Sequence, residues 1–353
     1  MEDATHLLGK VEMCRILLPN ADLLIYGSLQ REALASSTIE GTIASPEELV
    51  LYQAGQLQTR EAAKEVANYA AALSWGVEQL TSRPIAYNLI IGLHERLLKD
   101  VRGATGVGRL KQNQNFIGSS TTDTIKDAVF VPPPPEETLD LIIDLERYIN
   151  NPNNHERRVV QCALTHYQFE TIHPFGDGNG RVGRLLIILQ MIHLGLLSAP
   201  LIYPSKYFER NRQAYYAHLQ AVRDKGTWSE WVEFFARGIK EQCNETIAFT
   251  NTILQLREHL RQYVGNVSRR AAVAEVLAAF FEEPVLSIRA ISDRANIAIH
   301  SAQSAIAILE QQQFMGLPIV RELTGMQKRR VYACLPVLGA IFGSEFGNNS
   351  TPI

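Results

Sequence analysis

A chain of 353 residues has room for two or three compact units with a real core, and 46% hydrophobic with 20% charged residues excludes whole-chain disorder. Lys plus Arg number 34 against 37 Asp plus Glu, so the net charge of -3 gives no global pull toward nucleic acid or anionic lipid, and any such binding must be local. Cys14, Cys162, Cys243 and Cys334 stand far apart with no C-x-x-C pair, which disfavours a zinc ribbon or disulfide framework and fits a reducing, cytoplasmic setting. The start, Met-Glu-Asp-Ala-Thr-His, lacks the basic and apolar segments of a signal peptide, so export is not expected.

The first 100 residues read as helices. Pro46 to Tyr52 opens with Ser45 as N-cap and Glu47 and Glu48 in the first turn, where carboxylates suit the helix dipole. Helical patterns follow over Thr59 to Leu80 and from Pro84 through Leu98. Between Gly103 and Pro135 the character changes. Glycines at 103, 106, 108 and 118, a Ser-Ser-Thr-Thr run at 119 to 122, and the β-prone Ala128 to Val131 predict a short hairpin or extended flap, closed by four prolines. Helices resume over Glu136 to Asn150 and Glu156 to Glu170. Leu185 to Tyr203 is apolar enough to raise a membrane span, but Gln190, His193 and Pro200 interrupt it, so a buried core helix ending near Gly195 is the better reading and no membrane is expected. Tyr207 to Val222 and Ser229 to Phe249 are helical in pattern, the latter continuing to about Val264 without a breaker. Residues 268 to 335 give three short helices and then two strands around Thr324-Gly325, the order of a winged helix. The last dozen residues are expected to fray. The expected units are thus 1–95, 96–265 and 266–340.

Chemistry concentrates in residues 173 to 184, His-Pro-Phe-Gly-Asp-Gly-Asn-Gly-Arg-Val-Gly-Arg, which run straight into the apolar helix. Three glycines within five residues free the backbone to turn N–H groups inward, and at a helix N-terminus such groups cradle an anion. Arg181 and Arg184 share a helix face and can grip successive phosphates, while Asp177 can hold a divalent cation bridging the same oxygens. His173 precedes the cradle, with a titration range suited to accepting a proton. A base, an anion cradle, a carboxylate and two arginines describe nucleotidyl or phosphoryl transfer.

Two overlapping patterns fail. Gly178, Gly180 and Gly183 satisfy G-x-G-x-x-G but follow a helix and lack the downstream acid of a dinucleotide fold; Gly103 and Gly108 have P-loop spacing, but Arg109-Leu110 replaces the required Lys-Ser/Thr. No H-E-x-x-H or G-x-S-x-G occurs.

The run His173 to Arg184 matches H-x-F-x-[D/E]-G-N-G-R-x-x-R at all eight specified positions and resembles the signature of Fic-domain adenylyltransferases. Gly108-Arg109 with Gln114 to Gly118 resembles that family's target-docking flap, and Tyr215-Tyr216 through Trp228 to Phe235 its later core helices. The resemblance implies a mainly α fold: a Fic helical core with a β-hairpin flap, N-terminal inhibitory helices and a C-terminal winged-helix domain. By it, His173 takes the proton from a Ser, Thr or Tyr hydroxyl of a target protein, or of the chain itself, as that oxygen attacks the α-phosphorus of ATP and pyrophosphate leaves. Asp177 would bind Mg²⁺. Gly176, Gly178, Asn179 and Gly180 would surround the α-phosphate, Arg181 and Arg184 the β- and γ-phosphates. Phe175 would anchor the loop, and Phe116, Ile117 and Gly118 with the Tyr215 or Tyr216 ring would sit near the nucleotide. Because the loop reads phosphates and not bases, another nucleotide or a related diphosphate stays open as donor.

Ser36-Ser37-Thr38-Ile39-Glu40-Gly41 matches the same family's inhibitory pattern, [S/T]-x-x-x-E-[G/N]. On that resemblance Glu40 forms a bidentate pair with Arg184 and takes the guanidinium meant for the γ-phosphate, giving an autoinhibited enzyme. Two alternatives stand beside AMP transfer: removal of AMP by the same site with Glu40 orienting a water, and a winged-helix DNA-binding regulator. Residues 269 to 353 carry eight Lys/Arg and seven Asp/Glu, and Ala298 to Gln313 contains no Lys or Arg, so that unit is poorly equipped for DNA. Lys328, Arg329 and Arg330 form its main basic cluster; a protein-docking or homodimer role is preferred.

Overall fold

The structure, a computed structural model, describes residues 2–18, 20–55, 61–118, 124–326, 329–343 and 346. The N-terminal helices are α1 (Glu2–Leu17), α2 (Asp22–Ile39), α3 (Pro46–Gln53), α4 (Glu61–Leu80) and α5 (Tyr87–Leu97). After an extended segment come α6 (Pro135–Ile149), α7 (Arg158–Ile172), α8 (Asn179–His193), α9 (Pro204–Arg210), α10 (Arg212–Lys225) and α11 (Trp228–Val267). The C-terminal part contains α12 (Ala271–Phe280), β1 (Val285–Ser287), α13 (Ile288–Arg294), α14 (Ile299–Glu310), β2 (Gln313–Phe314), β3 (Leu317–Pro318), β4 (Val320–Glu322), β5 (Val331–Cys334) and α15 (Leu335–Phe342). The fold is mainly α, as expected.

Local chemistry sets several boundaries. Ser45 Oγ accepts from the Glu48 amide (3.2 Å) while the Glu48 carboxylate accepts from the Ser45 amide (2.9 Å), a capping box with Pro46 at the first helical position. Helix α5 starts at Tyr87, three residues after Pro84. The pattern at 207 to 222 is not one helix: the chain breaks at Asn211, whose side chain donates to the Tyr207 carbonyl (2.9 Å) and so ends α9 before α10 begins. By contrast α11 runs unbroken for 40 residues.

Helix α8 explains its own sequence. Val182, Leu185, Leu186, Ile188 and Leu189 belong to a core built with α4, α5 and α6, whereas Ile187 and Met191 belong to a second core built with α1, α2, α9 and α11. A helix apolar all round is one buried between two cores. Among the described residues no helix is long and apolar enough to cross a membrane.

The expected flap is sparser than a hairpin. Ile117 and Phe130 form an isolated antiparallel bridge, and a 3₁₀ turn covers Ile125–Asp127. Two positions on from Phe130 stands Pro132, which has no N–H to extend the ladder; instead the Gln114 side chain donates to its carbonyl (2.9 Å). The Ser-Ser-Thr-Thr run at 119 to 122 and Lys328 lie outside the described residues.

In the C-terminal part β1, β5 and β4 form an antiparallel sheet, with Val285 opposite Ala333 and Val320 opposite Cys334, and β2 and β3 form a separate two-stranded hairpin. The two strands expected around Thr324-Gly325 are β4 and β5. Fraying was expected from about residue 342, and α15 occupies the residues just before it, packed on α2 and α11. Arg31 of α2 donates to the carbonyls of Ala340 (3.2 Å) and Ile341 and lies over the Phe249 ring, 4.2 Å from its centroid.

Candidate active site

The loop from His173 to Gly178 joins α7 to α8. His173 ends α7 in the left-handed region (φ 49°, ψ 61°), a conformation uncommon for a residue with a side chain. Burial pushes its imidazole down to about 4, with the Glu170 carbonyl opposing, so it is a neutral proton acceptor at ordinary pH. Phe175 is fully buried beneath the loop and stacks on His94 of α5, ring centroids 3.8 Å apart. His94 Nδ1 accepts from the Gly108 amide (3.0 Å), which leaves Nε2–H to donate to the Asp177 carbonyl (3.0 Å).

Asn179 folds back on its own loop. Its Oδ1 accepts from the Phe175 amide and its Nδ2 donates to the Phe175 carbonyl, both at 2.8 Å. That side chain, expected to hold a phosphate, is therefore spent on closing the turn. Gly178 takes φ +79° at the entrance to α8. The first intrahelical donor is the Val182 amide, bonded to the Gly178 carbonyl (3.0 Å), so the amides of Asn179, Gly180 and Arg181 are the ones left to an anion, while the Gly178 amide donates to Asp177 Oδ1 (2.6 Å). Gly176 has open space on its Cβ side.

The two arginines have separate environments. Arg181, 5% exposed, pairs with Glu65 of α4 (2.7 Å) and lies 3.6 Å from Asp177, whose side chain is 66% exposed. Arg184 is 1% exposed: its Nε donates to Ser36 Oγ (2.8 Å), and its Nη2 to the Ser36 carbonyl (3.0 Å) and Glu40 Oε1 (2.6 Å). The pairing with Glu40 is thus single and not bidentate, with Ser36 taking the Nε donor and sharing Nη2. Burial raises the Glu40 carboxyl, but Arg184 outweighs it and holds the group below its ordinary value. The Glu40 side chain remains 31% open to solvent even though its carboxylate is set among charged groups. A methyl on Gly180 would collide with Glu40 Oε1 and come within 3.0 Å of Arg184 Nη1. Glu40 therefore sits on the face of the α8 N-terminus.

Residues 84–191 match the family model described as Fic/DOC family, and residues 1–78 match the model described as Fic/DOC family N-terminal. The chain belongs to the Fic/DOC family. It is 30% identical over 148 residues to the protein adenylyltransferase Fic of Drosophila ananassae, an alignment spanning 42% of this chain and 26% of that protein, so the match covers about a quarter of the relative's length. Among solved structures, a Fic family protein from Desulfovibrio desulfuricans superposes with a TM-score of 0.57 at 18% identity, covering 95% of this chain and 96% of that one. Fic-1 from C. elegans superposes with a TM-score of 0.56 at 22% identity over 70% of this chain and 73% of that one. These likenesses support the Fic fold.

Around the Fic loop the tyrosines divide. Tyr215 is 1% exposed, and its hydroxyl meets His166 Nε2 at 2.7 Å, so it belongs to the core and is not a pocket lining. Tyr216 is the exposed one of the pair. Of the flap residues, Ile117 exchanges backbone hydrogen bonds with Val129 and Phe130, while Phe116 is half-buried and Gly118 exposed. For a divalent cation, no cluster of three or more His, Cys, Asp or Glu exists among the described residues. The solvent-open Asp177 fits Mg²⁺ only in the usual way for that ion, one carboxylate plus substrate phosphates and water.

Sequence reasoning missed Glu65, His94 and Glu170. Glu170 is buried beside Gly183, its Oε1 has no hydrogen-bond partner among the described residues, and burial pushes its carboxyl up to about 7. None of the three lies in a motif, so each emerges only when helices α4, α5 and α7 are placed around the loop.

Proposed function

We propose that this Fic protein is an autoinhibited protein adenylyltransferase that moves AMP from ATP to a hydroxyl of a protein side chain. His173 removes the hydroxyl proton, the oxygen bonds to the α-phosphorus, and the bond from that phosphorus to the bridging oxygen of pyrophosphate breaks. Amides at the α8 start and Arg181 hold the phosphates in line with the attacking oxygen. Mg²⁺, held by Asp177 together with the phosphates, would supply charge neutralisation. Transfer of this type depends mainly on alignment and charge stabilisation, which is what a rigid loop of fixed donors contributes.

The observation that supports the reading most is the contact of Glu40 with Arg184 over the face of Gly180. An internal carboxylate there competes with a terminal phosphate for both the guanidinium and the helix start. ATP would then bind out of line. We read the C-terminal helices and sheet as a winged helix used for protein docking.

The test is incorporation of AMP from α-labelled ATP into the protein and into added lysate proteins, with mass spectrometry of the products. Glu40→Gly is expected to raise labelling above wild type and Arg184→Ala to abolish the rise. No AMP adduct on any protein in the Glu40→Gly reaction would overturn the transfer reading. Loss of AMP from a pre-labelled protein, dependent on Glu40, would assign the site to removal instead.

A further inference from the structure

The catalytic loop is gripped from outside by two residues at the base of the flap. Lys111 Nζ donates to the Ile172 carbonyl (3.3 Å) and the Lys111 amide to the Pro174 carbonyl (2.8 Å). Asn115 Nδ2 donates to the carbonyls of His173 (3.0 Å) and Phe175 (2.9 Å). Four consecutive loop carbonyls, residues 172 to 175, are satisfied from one five-residue stretch. Lys111 Nζ also donates to Asn115 Oδ1 (2.9 Å), which fixes the amide so that its nitrogen faces the loop. Lys111 is itself 7% exposed.

The grip falls where the loop needs it. A left-handed His173 ends α7 and turns the following carbonyls away from helical partners, and buried carbonyls without partners are costly. Since the strained conformation sets the direction of the imidazole, whatever holds these carbonyls aims the base. We infer that Lys111 and Asn115 are positioning residues for group transfer, fixing His173 by capturing the carbonyls of its loop. The same stretch continues directly into Phe116 to Gly118, so the flap edge and the base share one rigid piece. The assignment rests on the transfer reading for its kinetic consequence but not for its structural one.

Both consequences are measurable in the 353-residue chain carrying Glu40→Gly. Asn115→Ala and Lys111→Met should each lower kcat about 10- to 100-fold, the range that small misalignments produce, with KM for ATP within about twofold. Combining them should cost little more than either alone, because the two act as one unit. Lys111→Arg, which keeps a cation and N–H donors, should recover most of the rate. Asn115→Asp preserves volume but places an acceptor against two carbonyls, and should behave like Asn115→Ala.

A second readout needs no transfer activity. The His173 Cε1–H resonance should titrate low in the parent, where burial, Lys111 and Arg223 disfavour charge against the pull of the Glu170 carbonyl and, in the unsubstituted chain, Glu40. In Asn115→Ala its midpoint should move toward 6.5 as the loop loosens. An unchanged His173 titration in folded Asn115→Ala and Asn115→Asp overturns the inference. So does a rise in KM with kcat intact, or a Lys111→Arg protein as slow as Lys111→Met. If no variant transfers AMP but the titration moves as described, the proposed reaction fails while the positioning role stands.

Discussion

The catalytic loop and the last turn of α2 meet at Arg184, yet they are held very differently. On the loop side Asn179, His94, Lys111 and Asn115 fix the backbone from Ile172 to Asp177 through hydrogen bonds at 2.8 to 3.3 Å. On the α2 side Ser36 is buried in the helix, but Glu40 reaches Arg184 through one oxygen and keeps a third of its side chain in solvent. The loop backbone is pinned from several elements at once, whereas the Glu40 carboxylate is joined to Arg184 through a single oxygen.

Four experiments probe that contrast. The largest effect belongs to the loop: His173→Ala should cut transfer by about 10²- to 10⁴-fold, the usual contribution of a general base, while ATP binding measured by calorimetry stays close to wild type. Retained labelling would move the base elsewhere. Next is the obstruction, where Glu40→Gly should raise the rate by up to about 100-fold if Glu40 misaligns the phosphates; a steady-state comparison with wild type decides it. A smaller effect tests how tightly the loop side is packed. A methyl on Gly183 would meet Glu170 Oε1 and approach Phe169 within 3.1 Å, so Gly183→Ala should destabilise the fold by about 1–3 kcal/mol in a denaturant titration.

The smallest concerns pH. Glu40 titrates lower in the folded chain than its ordinary 4.5, so the unfolded state binds the proton more readily. Wild type should therefore hold its stability advantage over Glu40→Gln above about that pH and lose it as pH falls through the depressed folded value. A difference that instead grew with acid would mean that Arg184 does not hold the carboxylate.

Much of this was legible in the sequence where a residue acts on near neighbours. The Ser45 N-cap and the anion-ready start of α8 follow from spacing alone, and the resemblance placed Phe175 beneath the loop and Glu40 against Arg184. The misses share a cause in distance along the chain. Asn179 was expected on a phosphate, but a carboxamide four residues from Phe175 can close a turn on both its backbone groups. Tyr215 and Tyr216 are adjacent, so sequence could not say which faces His166 and which faces solvent. Glu65, His94 and Lys111 reach the site through contacts between elements that no local pattern marks, and the flap resemblance that includes Asn115 said nothing of its hold on the loop carbonyls.

Arg31 sits on the same helix as Ser36, five residues earlier, and caps two carbonyls of α15. Peeling α15 away would bare the two carbonyls that Arg31 serves and leave its guanidinium to Tyr203 and the Phe249 ring, so the disturbance would reach α2 together with α11. The helix that carries Glu40 at its C-cap is thus also the one that Arg31 ties to α15, so a single rod joins the C-terminal part to the neighbourhood of Arg184.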